Sequence, residues 1–108
     1  MNRLKLNLEI KFHVMLSKNE FLKREMKYLD CVEVIVEKED YAKHGVHKGM
    51  QGVIWLEECI DSEWDVYFSQ YGDKPDIAEI SIKEEDLMLL PNGMDARINE
   101  NIKARFGD

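Results

Sequence analysis

The sequence is short of the residues that punctuate or staple a chain. Two prolines, six glycines and two cysteines are spread over 108 residues, and neither a Pro/Gly-rich linker nor a low-complexity tract divides them. No disulfide-dense spacing is present; Cys31 and Cys59 lie in apolar, strand-like contexts and read as reduced core residues. Long hydrophobic runs are missing too. The stretch Leu87 to Pro91 is among the longest, far short of the roughly 20 residues a helical membrane span needs. The amino-terminal apolar residues alternate with Lys, Asn and Glu, which denies that segment the continuous apolar core of a secretory signal. A bacterial-type cytoplasm is the expected location.

Positive charge is scarce where the apolar pattern is densest. Residues 29–91 carry 16 Asp/Glu against 5 Lys, a net of −11, whereas residues 1–28 carry 7 Lys/Arg against 3 Asp/Glu. A central region of that sign disfavours anionic polymers as partners. Also absent are a nucleophile elbow, a phosphate-cradling glycine loop and a Cys/His pair of recognised spacing, so no enzymatic activity is expected.

What is present is the composition of one globular domain, 44% apolar and 34% charged, at a length that supports one core and not two. Leu4, Leu6, Leu8, Ile10, Phe12 and Val14 alternate with polar residues and predict a long half-buried strand. Ser17-Lys18-Asn19-Glu20 matches a capping box and predicts a short helix over 18–26. Val32, Val34 and Val36 then alternate with Glu33, Ile35 and Glu37 in a strand from Cys31 to Glu37. Residues 38–49 read as a polar loop curling over one end of the sheet.

Further strands are predicted over Gly52–Glu57, Trp64–Ser69, Ile77–Ile82 and Met88–Leu90, with a single helical turn at 83–87. Pro91-Asn92-Gly93 ends the sheet. Met94, Ile98, Ile102 and Phe106 recur every four residues and form the apolar stripe of a terminal helix. So short a helix must bury that stripe to be stable. The expected fold is mainly β with minor α: a small five-stranded barrel over 29–91, a strand-helix extension over 1–28 and an amphipathic helix over 92–108.

The corner Lys48-Gly49-Met50-Gln51-Gly52 carries two glycines three residues apart before the apolar alternation of Val53, Ile54 and Trp55. Together with the Val32-Val34-Val36 strand, Gly45, the strand Trp64 to Phe68 and the closing Glu85-Asp86-Leu87, it resembles a family of small bacterial Src-homology-type barrels. These are distantly like the KOW motif of ribosomal and transcription proteins. The resemblance covers a little over half of the chain. It implies a small barrel without catalytic chemistry, of a kind often similar to immunity or antitoxin components.

Three constellations have residue types that could carry chemistry. His44 and His47 form an H-x-x-H pair, but without a second ligand pair they read as solvated loop histidines and not a zinc site. Asp61, Glu63 and Asp65 open like a calcium loop, yet Val66 stands where that loop needs Gly and Gly72 where it needs a bidentate Glu. Glu57/Glu58 and Glu84/Glu85 are adjacent pairs, which strand geometry sends to opposite faces. No metal or other cofactor is therefore expected.

The residues with the clearest binding character are Trp55 and Tyr67. If Ile54 and Leu56 face the core, alternation turns Trp55 outward; if Trp64, Val66 and Phe68 face inward, Tyr67 is outside. The alternative, that the strand 4–14 or the terminal helix covers both rings, stays open. Glu57, Glu58, Asp61, Glu63 and Asp65 surround them in sequence. The set predicts a partner-binding patch for a basic protein, with carboxylates steering association and aromatics anchoring it. Its most concrete form is an immunity protein that blocks a cationic, nuclease-like toxin. Two other readings are a KOW-like nucleic-acid or ribosome-associated protein, for which only the basic residues 1–28 suit, and a self-assembling protein dimerising through the strand 4–14.

Overall fold

The computed structural model describes residues 26–107. The predicted strand 4–14, the capping box and all but the last residue of the predicted helix 18–26 lie outside the described residues. Within them the fold is mainly β, as expected: five antiparallel strands form one sheet curled into a half-barrel, accompanied by two helices.

The strands are β1 (Cys31–Val34), β2 (Gln51–Ile54), β3 (Glu63–Phe68), β4 (Ala78–Lys83) and β5 (Leu87–Leu89). Their order across the sheet is β4-β3-β2-β1-β5. The sheet thus has two edges, β4 and β5, and these are joined in sequence by a 3₁₀ turn at Glu84–Asp86. Period-two alternation sets the faces. Val32 and Val34 of β1, Ile54 of β2, Trp64, Val66 and Phe68 of β3, and Ile82 of β4 are all buried in one core with Met26, Val46, Met50 and Leu87. Gly52 is required at its place in β2, because a Cβ there would lie 2.6 Å from the carbonyl oxygen of Tyr67.

The loop after β1 differs from expectation. It contains a one-turn helix, α1 (Glu39–Ala42), whose Tyr41 is buried in the core. The Tyr41 hydroxyl donates to Asp86 at 2.7 Å and accepts from the Lys83 N–H at 3.2 Å, while Lys38 Nζ donates to Asp86 at 2.7 Å. Burial alone would raise the Asp86 pKa, but the hydrogen bonds from Lys38 and Tyr41 outweigh it and the carboxyl sits below its ordinary range. A turn too short to stand alone is held by this tether.

His47 is a second correction. It is buried instead of solvated, with Nδ1 2.8 Å from Glu37 and its ring stacked on Phe106 at a centroid distance of 3.6 Å. His44 is exposed, as expected. Leu56 and Cys59, expected in the core, are both exposed, and Cys31 is only half-buried; both cysteines are free thiols.

The terminal helix α2 (Ala96–Phe106) starts on an Asp95 cap that accepts from the Arg97 N–H, and it ends on Gly107 at φ 76°. Ile102 is buried and Ile98 packs against the core, but Phe106 stays half exposed beyond its stack on His47. The deepest residue of the helix is polar. Asn99 is fully buried; its Oδ1 accepts from the Gln51 N–H at 2.7 Å, and its Nδ2 donates to the carbonyls of Gln51 and Ser69 at 2.9 and 2.8 Å. No described helix is long and apolar enough to cross a membrane.

Candidate partner-binding surface

The outer face of β2 and β3 follows from the same alternation that builds the core. With Ile54 and Val66 inside, Val53 and Tyr67 are cross-strand neighbours on the other side. One residue beyond β2, the Trp55 N–H donates to the Asp65 carbonyl at 2.8 Å, which carries the ladder to Trp55, a residue 44% exposed. The Trp55 and Tyr67 rings lie 5.5 Å apart, tilted by 33°. Tyr28 approaches Trp55 from the far side at 6.2 Å and 58°. The three rings form an aromatic row with tilted geometry favourable to ring contact.

After Trp55 the chain leaves the sheet. Asp61 and Ser62 adopt left-handed backbone, with φ of 53° and 65°, and turn it back into β3. Leu56 and Ile60 are therefore lifted onto the surface, where they continue the apolar row beside the carboxylates of the same loop. Two adjoining clefts result. One, of about 430 Å³, lies among Tyr28, Trp55, Leu56, Glu57, Glu58 and Ile60. The other, of about 220 Å³, is lined by Leu56, Glu58, Ile60, Asp61, Glu63, Asp65 and Ser81. Neither is lined by a Lys or Arg.

The seven residues singled out from sequence thus fall on one continuous surface. Trp55, Glu57, Glu58 and Asp61 are exposed, whereas Glu63, Asp65 and Tyr67 are half-buried along β3. Asp65 stands apart electrostatically. Burial first, and then the hydrogen bond and charge of Glu79 on β4, push its pKa up to about 6. Asp76 accepts from the Tyr67 hydroxyl and raises that phenol in turn.

Four contributors were not foreseen: Tyr28, Leu56 and Ile60 on the apolar side, and Glu79 on the acidic one. Glu79 pairs across the ladder with Tyr67, so the outward positions of two predicted strands held its signal. Tyr28 precedes the sheet and no periodicity marks it. Among the described residues no group of three or more His, Cys, Asp or Glu side chains is placed to hold a metal ion. No family model matches the chain, nor does any curated protein or solved structure.

Proposed function

We propose that this chain is a non-enzymatic, acidic protein-binding module, most concretely an immunity protein that neutralises a cationic, nuclease-like bacterial toxin. The observation that carries the reading is the row Tyr28-Trp55-Tyr67 bordered by Glu57, Glu58, Asp61, Glu63 and Asp65, with no cation in either cleft between them. Exposed aromatics supply large contact area at low entropic cost and dominate interface energetics. A surrounding ring of one charge sign accelerates encounter with a partner of the other sign. The resemblance of residues 32–90 to small bacterial barrels often similar to immunity components points the same way.

The test is co-expression with the protein encoded beside this gene, followed by isolation of the complex and assay of the partner's nucleic-acid cleavage with and without this chain. The expected result is a stoichiometric complex with suppressed cleavage, whose affinity falls with ionic strength. Reversing Glu57, Glu58, Asp61 and Glu63 to Lys is expected to abolish it. Undiminished binding by that variant at high salt would refute the proposal. A gel shift of RNA by the unmodified chain at low salt would instead favour the nucleic-acid reading.

A further inference from the structure

Two aromatic rings among the described residues have cations of the chain itself set over them. Lys38 Nζ lies 5.7 Å from the centre of the Tyr41 ring, and the Arg97 guanidinium carbon lies 5.3 Å from that of Tyr71. Such contacts are attractive because a ring face carries the negative part of its quadrupole, and indole is the strongest platform of the aromatic side chains. Trp55 nevertheless has no such cation among the described residues. Its plane is tilted by 58° to Tyr28 and by 33° to Tyr67. Neither neighbour stacks flat on the indole, and the residue is exposed.

Tyr28 and Trp55 wall the cleft of about 430 Å³, in which Leu56 and Ile60 supply further apolar surface and Glu57 and Glu58 the charge. The ion pairs among the described residues involve neither of these carboxylates. Lys27, next to Tyr28 in sequence, is held by Asp30 at 3.3 Å. Lys83 stands opposite Glu63 in the β3–β4 ladder, and neither residue lines this cleft. Aromatic surface and two carboxylates that no described cation pairs thus meet in one place. A positive charge entering the cleft is attracted by both.

We propose that this cleft receives an arginine side chain of the partner, its guanidinium laid on the Trp55 indole beside Tyr28 and its N–H edge turned to Glu57 or Glu58. A guanidinium is planar and weakly hydrated, so it stacks on an aromatic face while its N–H fork stays free for carboxylates. A lysine ammonium is compact and strongly hydrated, and it gains less in the same place. Leu56 and Ile60 offer apolar surface to the methylene stem. The inference rests on the reading of this surface as the partner-binding site, and it adds the residue type that the partner must present there.

The experiment is an NMR titration of the full ¹⁵N-labelled chain with acetyl-Gly-Arg-Gly-amide and with its Lys and citrulline counterparts, at matched ionic strength. The Trp55 indole N–H is the reporter, and the indole of Trp64, a buried residue, is the internal control. The Arg peptide is expected to shift the Trp55 signal saturably and the Lys peptide to bind about threefold or more weakly than that. The citrulline peptide, of similar shape but neutral, should leave the signal in place. Tyr28→Leu and Glu57→Gln/Glu58→Gln change exposed side chains; each should weaken the Arg response about threefold or more with the circular dichroism spectrum unchanged. A Trp55 signal unmoved at roughly 50 mM Arg peptide would overturn the proposal. So would a Lys or citrulline response equal to that of Arg, or undiminished Arg binding by the Glu57→Gln/Glu58→Gln variant. No toxin enters this titration, so a flat response overturns this inference alone, whereas failure to form a complex on co-expression tells against the immunity reading alone.

Discussion

Asn99 is hydrogen-bonded to both peptide groups of Gln51, accepting from its N–H at 2.7 Å and donating to its carbonyl at 2.9 Å. The β2–β3 register pairs Val53 with Tyr67, so continuing it by two residues would set Gln51 opposite Ser69. The strands have parted there, and the Asn99 carboxamide fills the gap by also reaching the Ser69 carbonyl at 2.8 Å. A helix side chain thus serves as a surrogate peptide group in the sheet. This explains why the most buried position of α2 is polar.

Asn99→Ala leaves the Gln51 N–H and two carbonyls without partners in a dry site. A loss of about 2–3 kcal/mol is expected, the usual cost of orphaned buried groups. In a domain of this size that lowers the thermal midpoint by roughly 10 °C or more. Asn99→Asp keeps the shape but loses the two donated bonds, so it should be no better. Circular dichroism melting of both variants checks the pair.

Gly52→Ala tests the closeness of β2 to β3. The added methyl would meet the Tyr67 carbonyl oxygen at 2.6 Å and a Val66 methyl at 2.8 Å. Backbone cannot yield as a flexible side chain would, so we expect destabilisation of about 2 kcal/mol or more. Urea denaturation measures it, and wild-type stability would refute the assigned register.

Tyr41→Phe removes the hydroxyl that ties α1 to the sheet. Asp86 then loses one of two strong donors, and the Lys83 N–H loses its acceptor. The expected cost is about 1–3 kcal/mol. Because the Asp86 pKa is depressed in the folded state, its contribution is present above the unfolded pKa and is lost as pH falls through the folded one. The variant should therefore show a weaker acid-side loss of stability than the parent.

Asp65 has the opposite sign. Its folded-state pKa is raised to about 6 by burial and by Glu79, so the folded chain binds more protons than the unfolded one between about pH 4 and 6. Stability from this group is fully present below that window and falls as pH rises through about 6. Asp65→Asn should remove this descending limb and gain on the order of 1 kcal/mol at pH 7.5, a figure discounted for partial solvation. Denaturation midpoints at pH 4.5 and 7.5 decide it: a gain at 7.5 without one at 4.5 is expected.

Trp55→Ala should leave stability within about 1 kcal/mol, because Trp55 is exposed and its ring contacts among the described residues are with Tyr28 and Tyr67 at the surface. If the aromatic row anchors a partner, the same substitution weakens binding by about 2 kcal/mol or more. Calorimetric titration of parent and variant with the partner from the co-expression experiment separates these two effects.

Much of the sheet was legible because period-two alternation depends on which face is dry. The inward sets Val32/Val34 and Trp64/Val66/Phe68, and the outward pair Trp55/Tyr67, follow from it directly. The same rule failed at Leu56, where the chain has already left the ladder, and at Cys59, which lies in the loop that Asp61 and Ser62 turn back. His47 and Asn99 were hidden for another reason. Each is polar and buried where other residues converge on it, Glu37 and Phe106 among them for His47, and Gln51 and Ser69 for Asn99. α1 carries too few residues and no side-chain cap to announce itself. Glu79 and Tyr28 needed the strand order across the sheet, which spacing within one segment does not contain.

The bonds from Lys38 and Tyr41 to Asp86 and from Asn99 to Gln51 join residues 45 to 48 positions apart. Ring closure over such spans is entropically uphill until the intervening chain is already ordered. These clasps should therefore form after the rate-limiting step, and weakening them should leave the refolding limb of a chevron plot in place while raising the unfolding rate. The polar links across the half-barrel act as its latches, setting how long the native state lasts once reached.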